Sequence, residues 1–416
     1  MLQPQALRRG HPWILAPVER AGSEQAARIR LHELDGLRGW AALNVVTFHT
    51  FIGLFGAVVP GFDNPLTAFF LDGFLAVCIF FVLSGEALSS SYFAGGGRTA
   101  VLKLAVKRYP RLTIPILAAT AIVAVLCAAG LVGDVATADR VGGERTHLHA
   151  WLQLLQAPVS PGGVLQFALS DVYLRQFPRH DLQPFLWTMR AEMLGSIVVF
   201  AMLLALHRTR YGLIVVAIAA FSCMACPLPL VRYVACFLFG LIFAAARHAG
   251  FFARMQQSRP MQYATWVMIA ALAVTASMLH WRAPLLSYQP LVAVPLVFAV
   301  FCNRACSDFF ANRLSRLLGM ISFPLYLIQF PVLVSVAPAA ILYADSHGGL
   351  TMGAIWVVAL LSWASCVVAA IAFYPVEVFT KWTCDRVAKL VPRRVGAAVP
   401  SSLQVPSPAQ QSSSGS

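Results

Sequence analysis

Charge is scarce in this chain, and acidic charge scarcest. Asp and Glu together number 17 in 416 residues, and all charged residues make up 12%. A soluble globular protein carries about twice that share, so a water-soluble enzyme of this size is excluded. The same composition argues against a disordered protein and a fibrous repeat, and the chain lacks a convincing internal repeat. Residues 1–37 are polar and Arg-rich. They have no compact apolar stretch before a small-residue cleavage site, so they do not read as a secretory signal. Cysteine is present in odd number, nine, mostly inside apolar runs (Cys78, Cys127, Cys236, Cys302). Cys223 and Cys226 form a lone C-x-x-C without a second half or a nearby His. Small apolar packing residues are the expected reading, with no disulfide framework and no metal site.

Hydrophobic residues make up 59% of the chain, and the mean hydropathy is +0.71. A helix needs about 20 apolar residues to cross the hydrocarbon layer. Ten segments qualify: 39–59, 66–88, 112–132, 185–206, 211–230, 232–247, 262–280, 285–303, 317–343 and 351–374. The net charge of +14 tests this reading. With the N-terminus placed in the cytoplasm, 24 of the 31 Lys and Arg residues fall on cytoplasmic segments and seven on the other side. That bias follows the positive-inside rule. The expected fold is an all-α integral membrane protein of about ten transmembrane helices with both termini cytoplasmic. The basic residues are dispersed over short loops, which argues against a nucleic-acid partner and leaves the lipid bilayer as the surrounding phase. Three regions follow: a cytoplasmic N-terminal segment 1–37, a multi-span domain 38–375, and a cytoplasmic tail 376–416. Within them, 133–184 reads as a non-cytoplasmic loop with an interfacial helix around 148–156, and the Pro/Ser-rich 395–416 as disordered. In a eukaryote such a protein belongs in an ER-like endomembrane, in a bacterium in the plasma (inner) membrane.

Ionisable residues inside spans are costly and are functional candidates by default. Arg38 and His49 are eleven steps apart on one helix. At about 100° per residue this is three turns plus roughly 20°, so both side chains share a face, with His49 about 16 Å deeper. Glu192 lies roughly 12 Å into the fourth span by the same rise, and Gln329 is near the middle of the ninth, with Tyr326 one turn nearer the cytoplasm. His49, Glu192 and Gln329 are thus expected at one depth. Blander readings stand beside these. A lone His can be a satisfied core residue, Gln and Tyr can simply link helices, and Arg38 can snorkel to the interface. A buried Glu must be paired or neutralised.

The stretch Leu34-Asp35-Gly36-Leu37-Arg38-Gly39-Trp40, with His49 following, resembles the opening of the acyltransferase 3 family of membrane-embedded O-acyltransferases, whose signature is an Arg-x10-His pair. Three further stretches fit in order: Phe80-Phe81-Val82-Leu83-Ser84-Gly85, Lys107-Arg108-Tyr109-Pro110-Arg111-Leu112, and Trp187-Thr188-Met189-Arg190-Ala191-Glu192. The resemblance covers about residues 30–375. Two positions depart from it. Gln329 stands where the late Y-x-[IL]-Y-L-x-H motif has His, and Glu86 follows Ser84-Gly85 where an apolar residue is commoner. The Tyr109–Leu112 wording and the Pro/Ser tail look most like the fungal branch.

The resemblance implies transfer of an acyl group, acetyl by default, from acyl-CoA to a hydroxyl. The acceptor is a small metabolite, as in secondary metabolite biosynthesis, or, as the alternative, a glycan. Acyl-CoA enters as a cosubstrate and no bound cofactor is expected. His49 is the implied general base, Glu192 its orienting carboxylate, and Arg38 a phosphate ligand or thioester polariser. Lys103, Lys107 and Arg111 are four apart and form one stripe if helical. With Arg108 they make a clamp for the adenosine 3′-phosphate, or else a contact for anionic lipid. Tyr326, Gln329 and Trp187 are the expected acceptor contacts. Ser84 has no base beside it and reads as a packing residue rather than a nucleophile. The rival class is a multi-span transporter, against which stands the absence of paired broken helices.

Overall fold

The computed structural model describes residues 23–62, 64–65, 67–175, 182–207, 209–282 and 288–390, with backbone alone for 23–31 and 281–282. The tail read as disordered and most of the N-terminal segment lie outside the described residues. Among those described there is no strand; helices and turns account for the whole fold.

The main helices are α1 (Ser23–Thr47), α2 (Gly73–Ser91), α3 (Gly97–Ala128), α4 (His147–Leu154), α5 (Thr188–Ala205), α6 (Gly212–Ala225), α7 (Pro229–His248), α8 (Arg259–Arg282), α9 (Gln289–Cys302), α10 (Arg313–Ser346) and α11 (Met352–Ala388). Each of the ten apolar segments overlaps one of them, although the first runs on past the end of α1 at Thr47 and the second begins before α2 at Gly73, and the helix expected around 148–156 forms as α4. By length and composition, six helical runs among the described residues are able to cross a membrane: Gly73–Ala128, Pro184–Ala205, Pro229–His248, Arg259–His280, Arg313–Ser346 and Met352–Ala388. A seventh is added if Gln289–Cys302 and Arg304–Phe310, bent by 95° at Asn303, form one span. The chain is therefore a multi-pass membrane protein.

Several bounds differ from the sequence reading. The first helix starts before the apolar segment, because Glu33, Leu34 and Leu37 are buried against the rest of the bundle and carry the helix outward. The last continues past residue 374 through Glu377, which is buried. The second and third helices meet in a turn at Gly95 and Gly97, whose φ angles of 97° and 51° fall in the region that glycine tolerates.

Close helix contact is set by glycines. α1 packs on α10 and α2 on α7. A methyl group at Gly39 would strike the backbone of Gly319, and one at Gly319 the carbonyl of Asp35. At the second crossing, a methyl at Gly85 would meet the carbonyl of Phe237, and one at Gly240 that of Val82. In a membrane, where lipid offers no hydrophobic drive between helices, backbone approach through small residues supplies the packing. A Leu at position 319 is expected to lower stability by about 3 kcal/mol or more, since the obstacle is backbone rather than a flexible side chain. A Leu at Gly353, which faces open space, should change it by less than about 0.5 kcal/mol. Thermal unfolding of both variants in detergent checks this.

Candidate active site

The α1–α10 contact runs in parallel. Gly39 meets Gly319, and ten residues later the His49 imidazole Nδ1 lies 3.1 Å from Oε1 of Gln329. His49 sits in a six-residue π-turn, Phe48–Gly53, that ends α1; such turns often mark functional positions. The hydrogen bonds fix chemistry as well as place. The Gln329 side-chain amide donates to the Tyr326 carbonyl at 3.0 Å, so its oxygen is the atom that faces His49. An amide oxygen only accepts. Nδ1 of His49 therefore carries the proton, and Nε2 keeps its lone pair. Phe185 stacks on the imidazole with centroids 3.8 Å apart, and Trp151 meets it edge-on at 5.7 Å. His147, on the first turn of α4, approaches the same aromatic group.

A cavity of about 800 Å³ opens among α1, α2, α3, α5, α10 and α11. Its inner wall holds Arg38, Ser84, Thr188, Glu192 and Tyr326. Arg38 donates to the Leu83 carbonyl at 2.9 Å, which ties the first motif to the second. His49 is not in the cavity wall. Between them stands Tyr326, whose hydroxyl donates to the Phe185 carbonyl and accepts from Thr188 at 2.6 Å.

The expected His49–Glu192 pair does not form. Glu192 bonds Arg108 instead, and Arg108 also donates to Ser196 at 2.7 Å. The reason is depth. Phe185, just before α5, already lies against His49, so Glu192, seven residues on, falls about 10 Å further along the helix. Gln329, expected to touch substrate, is fully buried and spent on His49 and Tyr326. Trp187 is 40% exposed and packs on Phe74 and Tyr233, away from the cavity. The basic stripe divides. Arg111 forms a two-pronged pair with buried Glu377, one contact at 2.6 Å, and Lys107 pairs with Asp385 at 2.7 Å. Lys103 does not line the cavity.

Glu86, the other unusual position, pairs with Arg247. Arg247 also reaches Glu33 at 3.1 Å and lies over the Phe301 ring at 4.3 Å. These buried charges were missed, although Glu33, Glu377 and Arg247 each stand in or beside an apolar run, which was the available signal.

The model of the acyltransferase 3 family, described as an acyltransferase domain, matches residues 31–374. The chain belongs to the acyltransferase 3 family. It is therefore a membrane acyltransferase, and its family motifs converge on one region: Arg38 and Leu83 on each other, His49 and Gln329 on each other, Arg108 and Glu192 on each other. No curated protein and no solved structure gives a significant match. In this acyltransferase the Arg108 and Glu192 side chains are 14% and 12% exposed. Glu192→Ala should cost about 3–5 kcal/mol by stranding a buried cation, whereas replacing both partners with Met and Leu should be close to neutral. Thermal unfolding of the single and double variants in detergent separates the two.

Proposed function

We propose that this enzyme transfers an acyl group, acetyl in the simplest case, from acyl-CoA to a hydroxyl of a small metabolite. The observation that carries this reading is the Tyr326–Gln329–His49 chain, which leaves His49 with a free basic Nε2 on the helix that also presents Arg38 to the cavity. His49 takes the acceptor's proton as its oxygen bonds to the thioester carbonyl carbon. The carbon–sulfur bond then breaks and the CoA sulfur leaves with that proton. Gln329 holds the reactive tautomer, the part a carboxylate plays elsewhere, and Glu192 serves to neutralise Arg108 beside the donor. Arg38 lies about 16 Å along the helix from His49, too far to polarise a carbonyl held there, and so grips the donor's polar arm. The thioester reaches His49 past Tyr326. The aromatic group around His49, with Trp151 and Phe185 at its centre, suits an acceptor with a ring face, which also keeps a glycan as the second reading.

The topology in this proposal has ten spans, both termini cytoplasmic, and the cavity open to the cytoplasm where acyl-CoA is made. Its support is the Lys/Arg distribution and the clustering of Lys107, Arg111, Arg316 and Lys381 at the cavity. A C-terminal green fluorescent reporter should therefore fluoresce; a dark but expressed fusion overturns this orientation. The membrane is an ER-like endomembrane in a eukaryote and the plasma membrane in a bacterium.

Purified protein mixed with acetyl-CoA and an acceptor pool should release CoA thiol; acyl uptake into vesicles without thiol release would instead make it a transporter. His49→Ala should reduce transfer at least about 100-fold while folding is retained. Gln329→Leu should lower kcat about 5- to 10-fold with KM unchanged, the worth of one hydrogen bond. Arg38→Ala should raise KM for acetyl-CoA.

A further inference from the structure

The cavity carries six permanent cations, Arg38, Lys107, Arg108, Arg111, Arg316 and Lys381, but most of them are committed. Arg108 is held by Glu192 and Arg111 by Glu377, both largely buried carboxylates. Lys107 pairs with Asp385, and Lys381 lies 3.3 Å from Glu377. Arg38 donates to the Leu83 carbonyl at the inner wall. The Arg316 side chain is left with no ion pair or hydrogen bond among the described residues, and it is exposed into the cavity. It stands on α10 in line with Met320, Phe323 and Tyr326, all of which line the same cavity. That spacing of three or four residues is one helix face, and it covers about 15 Å from Arg316 to Tyr326.

We infer that Arg316 anchors a phosphate group of the donor at the outer end of the cavity, opposite the end where Tyr326 guards His49. The inference rests on the reading of acyl-CoA as donor and names the residue that recognises its phosphorylated end. A guanidinium suits the task, because its planar fork meets phosphate oxygens in pairs and its charge persists at any physiological pH. The apolar and neutral wall above it, Met320 and Phe323, fits an uncharged arm leading inward. The arginines of the α3 motif do not serve this role, because taking Arg108 would strand Glu192 and taking Arg111 would leave Glu377 with only the longer contact to Lys381.

The test is binding of two probes to the full-length protein in detergent, measured by calorimetry: CoA, and pantetheine, which has the same thiol arm without phosphates. Arg316→Gln should weaken CoA binding at least about 10-fold and leave pantetheine binding unchanged. Arg316→Lys should fall between Gln and wild type. Arg313→Gln, one turn earlier and outside the cavity wall, serves as the control and should bind CoA as wild type does. Unchanged CoA affinity in Arg316→Gln, or an equal loss for both probes, overturns the assignment while acyl-CoA remains the donor. A wild-type protein that binds no CoA overturns the assignment and the donor reading together.

Discussion

The backbone contact between Gly39 and Gly319 is the constraint on which the site depends. Two parallel helices that touch at this point stay in step for the next ten residues, and the same offset brings Gln329 beside His49. Any side chain at the glycine pair would push α1 from α10 and open the hydrogen bond to the imidazole. The Trp40 indole, which donates to Ser315 at 2.9 Å, locks the same register from the side. The geometry of the candidate site is thus set by two residues that have no side chain to contribute to it.

The few acidic residues are spent in a consistent way. Glu192 joins α3 to α5, Glu377 joins α3 to α11, and Glu33 with Glu86 joins α1, α2 and α7 through Arg247. Buried charges in a poorly polarisable interior are tolerated only as hydrogen-bonded pairs. This explains why a chain so short of acid keeps Glu at these places, and why Glu86 departs from the family pattern: Arg247 requires it. Arginines that count toward topology in the sequence turn out to be bundle cross-links, which leaves Arg316 as the cavity cation whose side chain has no partner among the described residues.

Gln329, at the position where the resemblance leads one to expect His, orients the imidazole of His49 here. Gln cannot take a proton, but its two ends are chemically distinct, and Tyr326 holds the donor end. The acceptor end then selects the tautomer of His49. The aromatic neighbours Phe185 and Trp151 hold the ring flat against that hydrogen bond.

Much was legible in the sequence. Long apolar segments must become helices, because lipid offers no partners for the backbone, and the spacing of Arg38 and His49 placed them on one face of one helix. The family followed from short motifs read in order. Depth within one helix was also readable, but depth between helices was not. Glu192 was matched to His49 by counting from the edge of its span, and Phe185 at the start of that span already lies beside His49. Which cation meets which carboxylate was likewise beyond reach: Arg111 and Glu377 are 266 positions apart, and nothing local links them. The chain alone determined its helices, its family and its candidate base, since these depend on local composition and period. Tertiary packing decided the partner of that base and, among the described residues, which arginine of the cavity stays uncommitted, since both depend on register between helices that only contact can set.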